Sequence, residues 1–120
     1  MTDEFPVRQA LTAALTRLAM PAADQVAYLG GLGGFIGDLT DELALEYGDA
    51  YLVVRGRLAE FGPAAPVLTA LDQLLDRMSG EANAHLWTRD ALAVEPSWAE
   101  VRDLASRALT LLPDDGSPDA

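Results

Sequence analysis

The sequence predicts an all-α fold: an irregular bundle of five or six helices with a short disordered acidic C-terminal tail. Three observations point there. Apolar residues recur at steps of three and four along most of the chain, the period that keeps one face of a helix against a core. Glycine and proline interrupt these stripes at intervals too irregular for a symmetric four-helix bundle. The one run that suits a buried strand, Tyr51-Leu52-Val53-Val54, finds no convincing partner strand elsewhere. Residues 1–112 are expected to form a single helical domain and 113–120 a flexible tail, because the segment from Pro113 onward is acidic and almost without apolar mass.

After Pro6, the residues Val7, Leu11, Ala14, Leu15 and Leu18 fall on one helix face, and Pro21 limits that helix near Met20. A short second helix is expected over 22–29, with Val26 and Leu29 turned inward. A third, from Phe35 to Tyr47, sets Ile36, Leu39, Leu43 and Tyr47 opposite Asp38, Glu42 and Glu46, and should stop near Gly48; Thr40 offers an alternative cap and start. The segment 50–61 reads as helix or irregular structure, followed by a turn at Gly62-Pro63. Val67, Leu68, Leu71, Leu74, Leu75 and Met78 make the next stripe, which ends where Gly80 can take a left-handed cap. Residues 81–92 add a short helix started by Thr88, with Leu86, Trp87 and Leu92 inward. In the last helix, Trp98, Val101, Leu104, Ala105, Ala108, Leu109 and Leu112 form the stripe, and Ser97-Trp98-Ala99-Glu100 has the pattern of a capping box that would place the N-cap at Ser97.

Charge narrows the function classes. Nineteen acidic residues oppose eight basic ones for a net charge of -11. Such a field repels nucleic-acid backbones and anionic membrane surfaces, so neither partner is expected. All eight basic residues are arginine, which removes lysine Schiff-base chemistry and the lysine of a phosphate loop. Cysteine is absent, so thiolate nucleophiles and sulfur-ligated metals are excluded. The acidic start, Met1 to Pro6, does not read as a secretory signal, and the longest uncharged apolar run, 25–37, is thirteen residues long and broken by glycines, too short to span a bilayer. A cytoplasmic location is the expectation.

No motif specifies a cofactor. Gly31 and Gly33 begin the pattern of a dinucleotide loop, but Ile36 stands where its third glycine belongs and Gly37 arrives one residue late. A bent helix junction is the expected use of these glycines. No metal site is expected either: His85 is the only histidine, and neither Glu-x-x-His nor a calcium loop is present. Carboxylates do repeat at four-residue steps, as Asp38, Glu42 and Glu46 with Asp41 and Asp49 nearby, and again as Asp72 and Asp76, which could meet between helices. The first set reads as a protein-interaction surface for a basic protein. Repeated like charge slightly destabilises a helix but steers encounter with a cationic patch and rejects wrong partners. His85 and Trp87 mark an alternative pocket for a small molecule or an enzyme reaction, and an apolar helical face bearing a tryptophan would serve a homo-oligomer or accessory subunit. The resulting expectation is a noncatalytic, acidic protein-interaction module, with an inhibitor or immunity-type protein as one concrete form.

Overall fold

The computed structural model describes residues 4–30 and 41–112. Among these are six α-helices: α1 (Glu4–Ala19), α2 (Ala22–Gly30), α3 (Asp41–Val54), α4 (Ala65–Arg77), α5 (Arg89–Val94) and α6 (Pro96–Leu111). Two 3₁₀ segments, Arg55–Ala64 and Glu81–Leu86, connect α3 to α4 and lead from α4 toward α5. No strand occurs among the described residues, and Tyr51 to Val54 are the last turn of α3. The glycine cluster from Gly31 to Gly37, the Phe35 and Thr40 alternatives for a helix start, and the tail from Pro113 lie outside the described residues.

The predicted stripes build one contiguous core. Leu11, Ala14, Leu15 and Leu18 of α1 are buried with Leu43, Tyr47, Ala50, Tyr51 and Val54 of α3, Leu68, Leu71, Leu74 and Leu75 of α4, and Trp98, Val101, Ala105 and Ala108 of α6. Helix α6 packs against α1, α4, α5 and the first 3₁₀ segment, and α1 also rests on α3. The two clearest helices of the sequence, α4 and α6, do meet, but α1 is the more extensive neighbour of α6. Each fully buried leucine contributes about 2 kcal/mol of transfer free energy, enough to outweigh local preferences where the two conflict.

Two conflicts of this kind appear. Helix α3 runs through Gly48 instead of stopping there. A helical glycine costs about 1 kcal/mol relative to alanine. Continuing for another turn and a half buries Ala50, Tyr51 and Val54, which is worth more. At α6 the capping box does not form: the N-cap is Glu95, no side chain caps it, and Ser97 lies inside the first turn. Pro96 is the reason, since its fixed φ suits the first helical position and needs no N–H partner there. The Trp98 and Ala99 amides accordingly donate to the Glu95 carbonyl.

Local expectations elsewhere meet mixed outcomes. Thr88 caps α5, its Oγ1 accepting from the Ala91 amide at 3.1 Å. Gly80 takes a positive φ of 102°, with an extended ψ of 158° in place of the compact left-handed cap. Gly62 takes φ 56°, turning the first 3₁₀ segment into Pro63.

Candidate functional site

The acidic residues predicted on the third helix meet different environments. Asp38 and the Asp41 side chain lie outside the described residues. Glu46 is half-buried and engaged within the fold: the Tyr28 hydroxyl donates to Glu46 Oε2, and Arg17 Nε lies 3.6 Å from Glu46 Oε1. The same Arg17 guanidinium sits 4.6 Å from the centroid of the Tyr28 ring, so α1, α2 and α3 share one polar junction. That bond to Glu46, and then burial, push the Tyr28 hydroxyl above its ordinary value and keep it a donor. Glu42 is half-buried one turn earlier, and Asp49 is exposed.

Asp49 belongs to a larger acidic site contributed by two helices. An open depression of about 220 Å³ lies between α3 and α4, lined by Leu45, Tyr47 and Asp49 on one side and Asp72, Leu75 and Asp76 on the other. Two tyrosines of α3 tie it to α4. Tyr47, fully buried, donates its hydroxyl to the Leu68 carbonyl at 2.7 Å, and the Tyr51 hydroxyl lies 3.2 Å from Thr69 Oγ1. Their rings stack with centroids 5.8 Å apart. Burial drives the Tyr47 hydroxyl well above its ordinary value, so it stays protonated and keeps its bond to α4.

Charge in this depression is not fully offset. Burial, then repulsion from Asp76, hold the Asp72 carboxyl above the ordinary aspartate value, and Arg55 only partly reverses the effect. Arg57, two residues beyond Arg55 in the first 3₁₀ segment, lies 3.9 Å from Glu60. Among the described residues no group of three or more histidine and carboxylate side chains is arranged to hold a metal ion.

Around Asp49 the outer face of α3 is apolar to an unusual degree. Leu45 is 51% exposed, Leu52 58% and Val53 56%, and these residues lie with Asp49 within an arc of about 100° on the helix. On the far side of α3, toward α1, a second open groove of about 270 Å³ is lined by Val7, Ala10, Glu46, Asp49, Ala50 and Val53. Asp49 borders both, on a ridge with acidic and apolar neighbours to either hand.

The alternative pair, His85 and Trp87, sits elsewhere. His85 is exposed and lines neither depression. Trp87 is half-buried, donates Nε1–H to the Met78 carbonyl at 2.7 Å, and meets Trp98 edge to face at 5.3 Å between centroids. Trp98 in turn donates to the Leu86 carbonyl at 2.6 Å. Both indoles thus anchor the second 3₁₀ segment to α4 and α6.

No helix among the described residues is long and apolar enough to cross a membrane. The chain matches no protein-family model, no curated protein and no solved structure.

Proposed function

We propose that this chain is a noncatalytic protein-interaction module whose α3–α4 surface receives a basic protein partner. The observation that carries this reading is the union of Asp49 with Asp72 and Asp76 around one depression, where Asp72 is already held above its ordinary ionisation range by burial and a like charge. An arginine or lysine of a partner would relieve that repulsion, and the exposed Leu45 and Leu52 would cover its aliphatic stem. A net charge of -11 adds long-range attraction to the same class of partner. Inhibiting a toxin or a nucleic-acid-processing protein is a concrete use, since carboxylates compete with phosphates for one basic cleft.

The reading differs in one respect from a single acidic stripe on α3. Glu46 serves the fold through Tyr28 and Arg17, so the surface is assigned to Asp49, Asp72 and Asp76, with Glu42 as a flanking charge. Affinity co-purification of the full chain from its native lysate, at low and high salt, tests it. The wild type should retain a stoichiometric basic protein at low salt and release it at high salt. The folded variant Asp49→Asn/Asp72→Asn/Asp76→Asn should retain none, and retention equal to the wild type would refute the surface.

A further inference from the structure

We infer that the groove between α1 and α3 docks a basic amphipathic helix of the partner, which inserts an aliphatic side chain among Val7, Ala10, Ala50 and Val53 while an adjacent arginine or lysine pairs with Asp49. The inference rests on the protein-interaction reading and specifies how that partner is held.

The groove exists because small side chains occupy the seam. Ala10 and Ala50 line it beside Val7 and Val53, and neither alanine fills the space between the helices. Val53 is 56% exposed, and its neighbour Leu52, 58% exposed, extends apolar surface onto the outer face of α3. A partner helix meets such a seam with residues one turn apart, which suits an aliphatic anchor flanked by longer side chains.

Charge selects the occupant. The two polar residues lining the groove are both carboxylates, Glu46 and Asp49. Glu46 already faces Arg17, so an incoming cation is directed to the exposed Asp49. A second copy of the chain would set the same carboxylates against one another across a two-fold contact, and its charge of -11 adds to the repulsion. A basic helix meets neither obstacle.

The test uses the full chain and a synthetic helical peptide of about 15 residues, long enough to form helix on binding, with leucines on one face and arginines beside them. A control peptide replaces the leucines with serine. Calorimetry should give an affinity for the leucine peptide about tenfold above the control, the effect of burying a good part of one leucine. Backbone amide shifts should centre on residues lining the groove. Ala10→Trp, which fills the groove from an exposed position, and Val53→Ser, which lowers its wall, should each abolish the leucine advantage and leave control binding unchanged. A leucine advantage that survives both variants, or shifts that centre on Asp72 and Asp76 alone, would overturn the groove. If both peptides bind equally, and both lose binding with Asp49→Asn/Asp72→Asn/Asp76→Asn, the acidic surface stands without the groove. If neither peptide binds at low salt, both readings fall. Self-association of the peptide-free chain that Ala10→Trp removes would assign the groove to a second copy.

Discussion

Arg102 and Gln25, separated by 77 positions in the chain, meet in the interior: Arg102 Nη1 donates to Gln25 Oε1 at 3.2 Å. Gln25 is fully buried, and its Nε2 donates to the carbonyls of Arg17 and Leu18, both at 3.0 Å. Those carbonyls belong to the last turn of α1, where the regular helix bonds run out and the Arg17 carbonyl otherwise receives only the Met20 amide at 3.3 Å. Arg102 also donates to the Leu92 carbonyl at 2.8 Å, so one polar pair closes the end of α1 and ties α2 and α5 to α6. Gln25→Leu should cost about 2–3 kcal/mol, because it strands the Leu18 carbonyl and one face of the guanidinium away from water. Denaturant melts of Gln25→Leu, Arg102→Leu and the double variant should give a coupling of about 1 kcal/mol. Strict additivity would show that the two residues act apart.

Tyr47 links stability to alkaline pH. Tyr47→Phe removes the hydroxyl that bonds Leu68 and should lower stability at neutral pH by about 1 kcal/mol. The folded-state value for Tyr47 lies above the ordinary 10.0, so the native state holds its proton more tightly than the unfolded chain does. Stability should therefore fall as pH rises past 10.0. Tyr28 acts with the same sign through Glu46. Melting temperatures should show Tyr47→Phe less stable than the wild type at neutral pH and closing the gap above pH 10.0. A gap that stays constant would contradict the burial of an ionisable hydroxyl.

Asp72 predicts the opposite limb of the pH profile. Its raised folded-state value means that the native state binds this proton more tightly, so stability from this site falls as pH climbs from 3.8 through the folded value. Asp72→Asn should melt at a higher temperature than the wild type at neutral pH. The advantage should vanish below about pH 3, where aspartate is neutral in both states. An advantage undiminished in acid would assign it to packing instead of charge.

Glycines offer a contrast between two backbone states. Gly48 is helical, and a Cβ there meets nothing within 4 Å, so Gly48→Ala should stabilise α3 by about 1 kcal/mol. Gly80 has equal space, but its φ of 102° strains any L-residue, so Gly80→Ala should destabilise by about 1 kcal/mol or more. Urea midpoints measured for both variants should move in opposite directions. A shared direction would mean that space rather than backbone conformation governs these sites.

Much of this fold is legible in the sequence because α1, α4 and α6 carry long stripes whose burial decides the outcome. Leu11, Leu15 and Leu18, or Leu68, Leu71 and Leu75, require no tertiary information to be recognised as one face. The capping box at Ser97 misleads because Pro96 competes for the same start and prevails. The end at Gly48 misleads because Tyr51 and Val54 find a core that only the assembled helices provide. Gln25 gives no signal: a glutamine beside Val26 reads as surface until α1 supplies carbonyls and α6 supplies Arg102. For the site, periodicity puts Glu42, Glu46 and Asp49 on α3, and spacing alone draws Asp72 and Asp76 to notice. It does not show that Glu46 turns to Tyr28, or that Asp49 joins the carboxylates of α4, because both depend on how the helices pack.

If Asp49, Asp72 and Asp76 form one partner-binding surface, carbodiimide crosslinking in native lysate will capture the partner on those carboxylates. The reagent joins carboxylates to amines in contact, and since every basic residue of this chain is arginine, no internal lysine can mimic a partner. Mass spectrometry of the products should find lysines of a basic protein joined to Asp49, Asp72 or Asp76. Partner lysines joined instead to Glu100 or Asp103 of α6, with those three carboxylates unmodified, would contradict it.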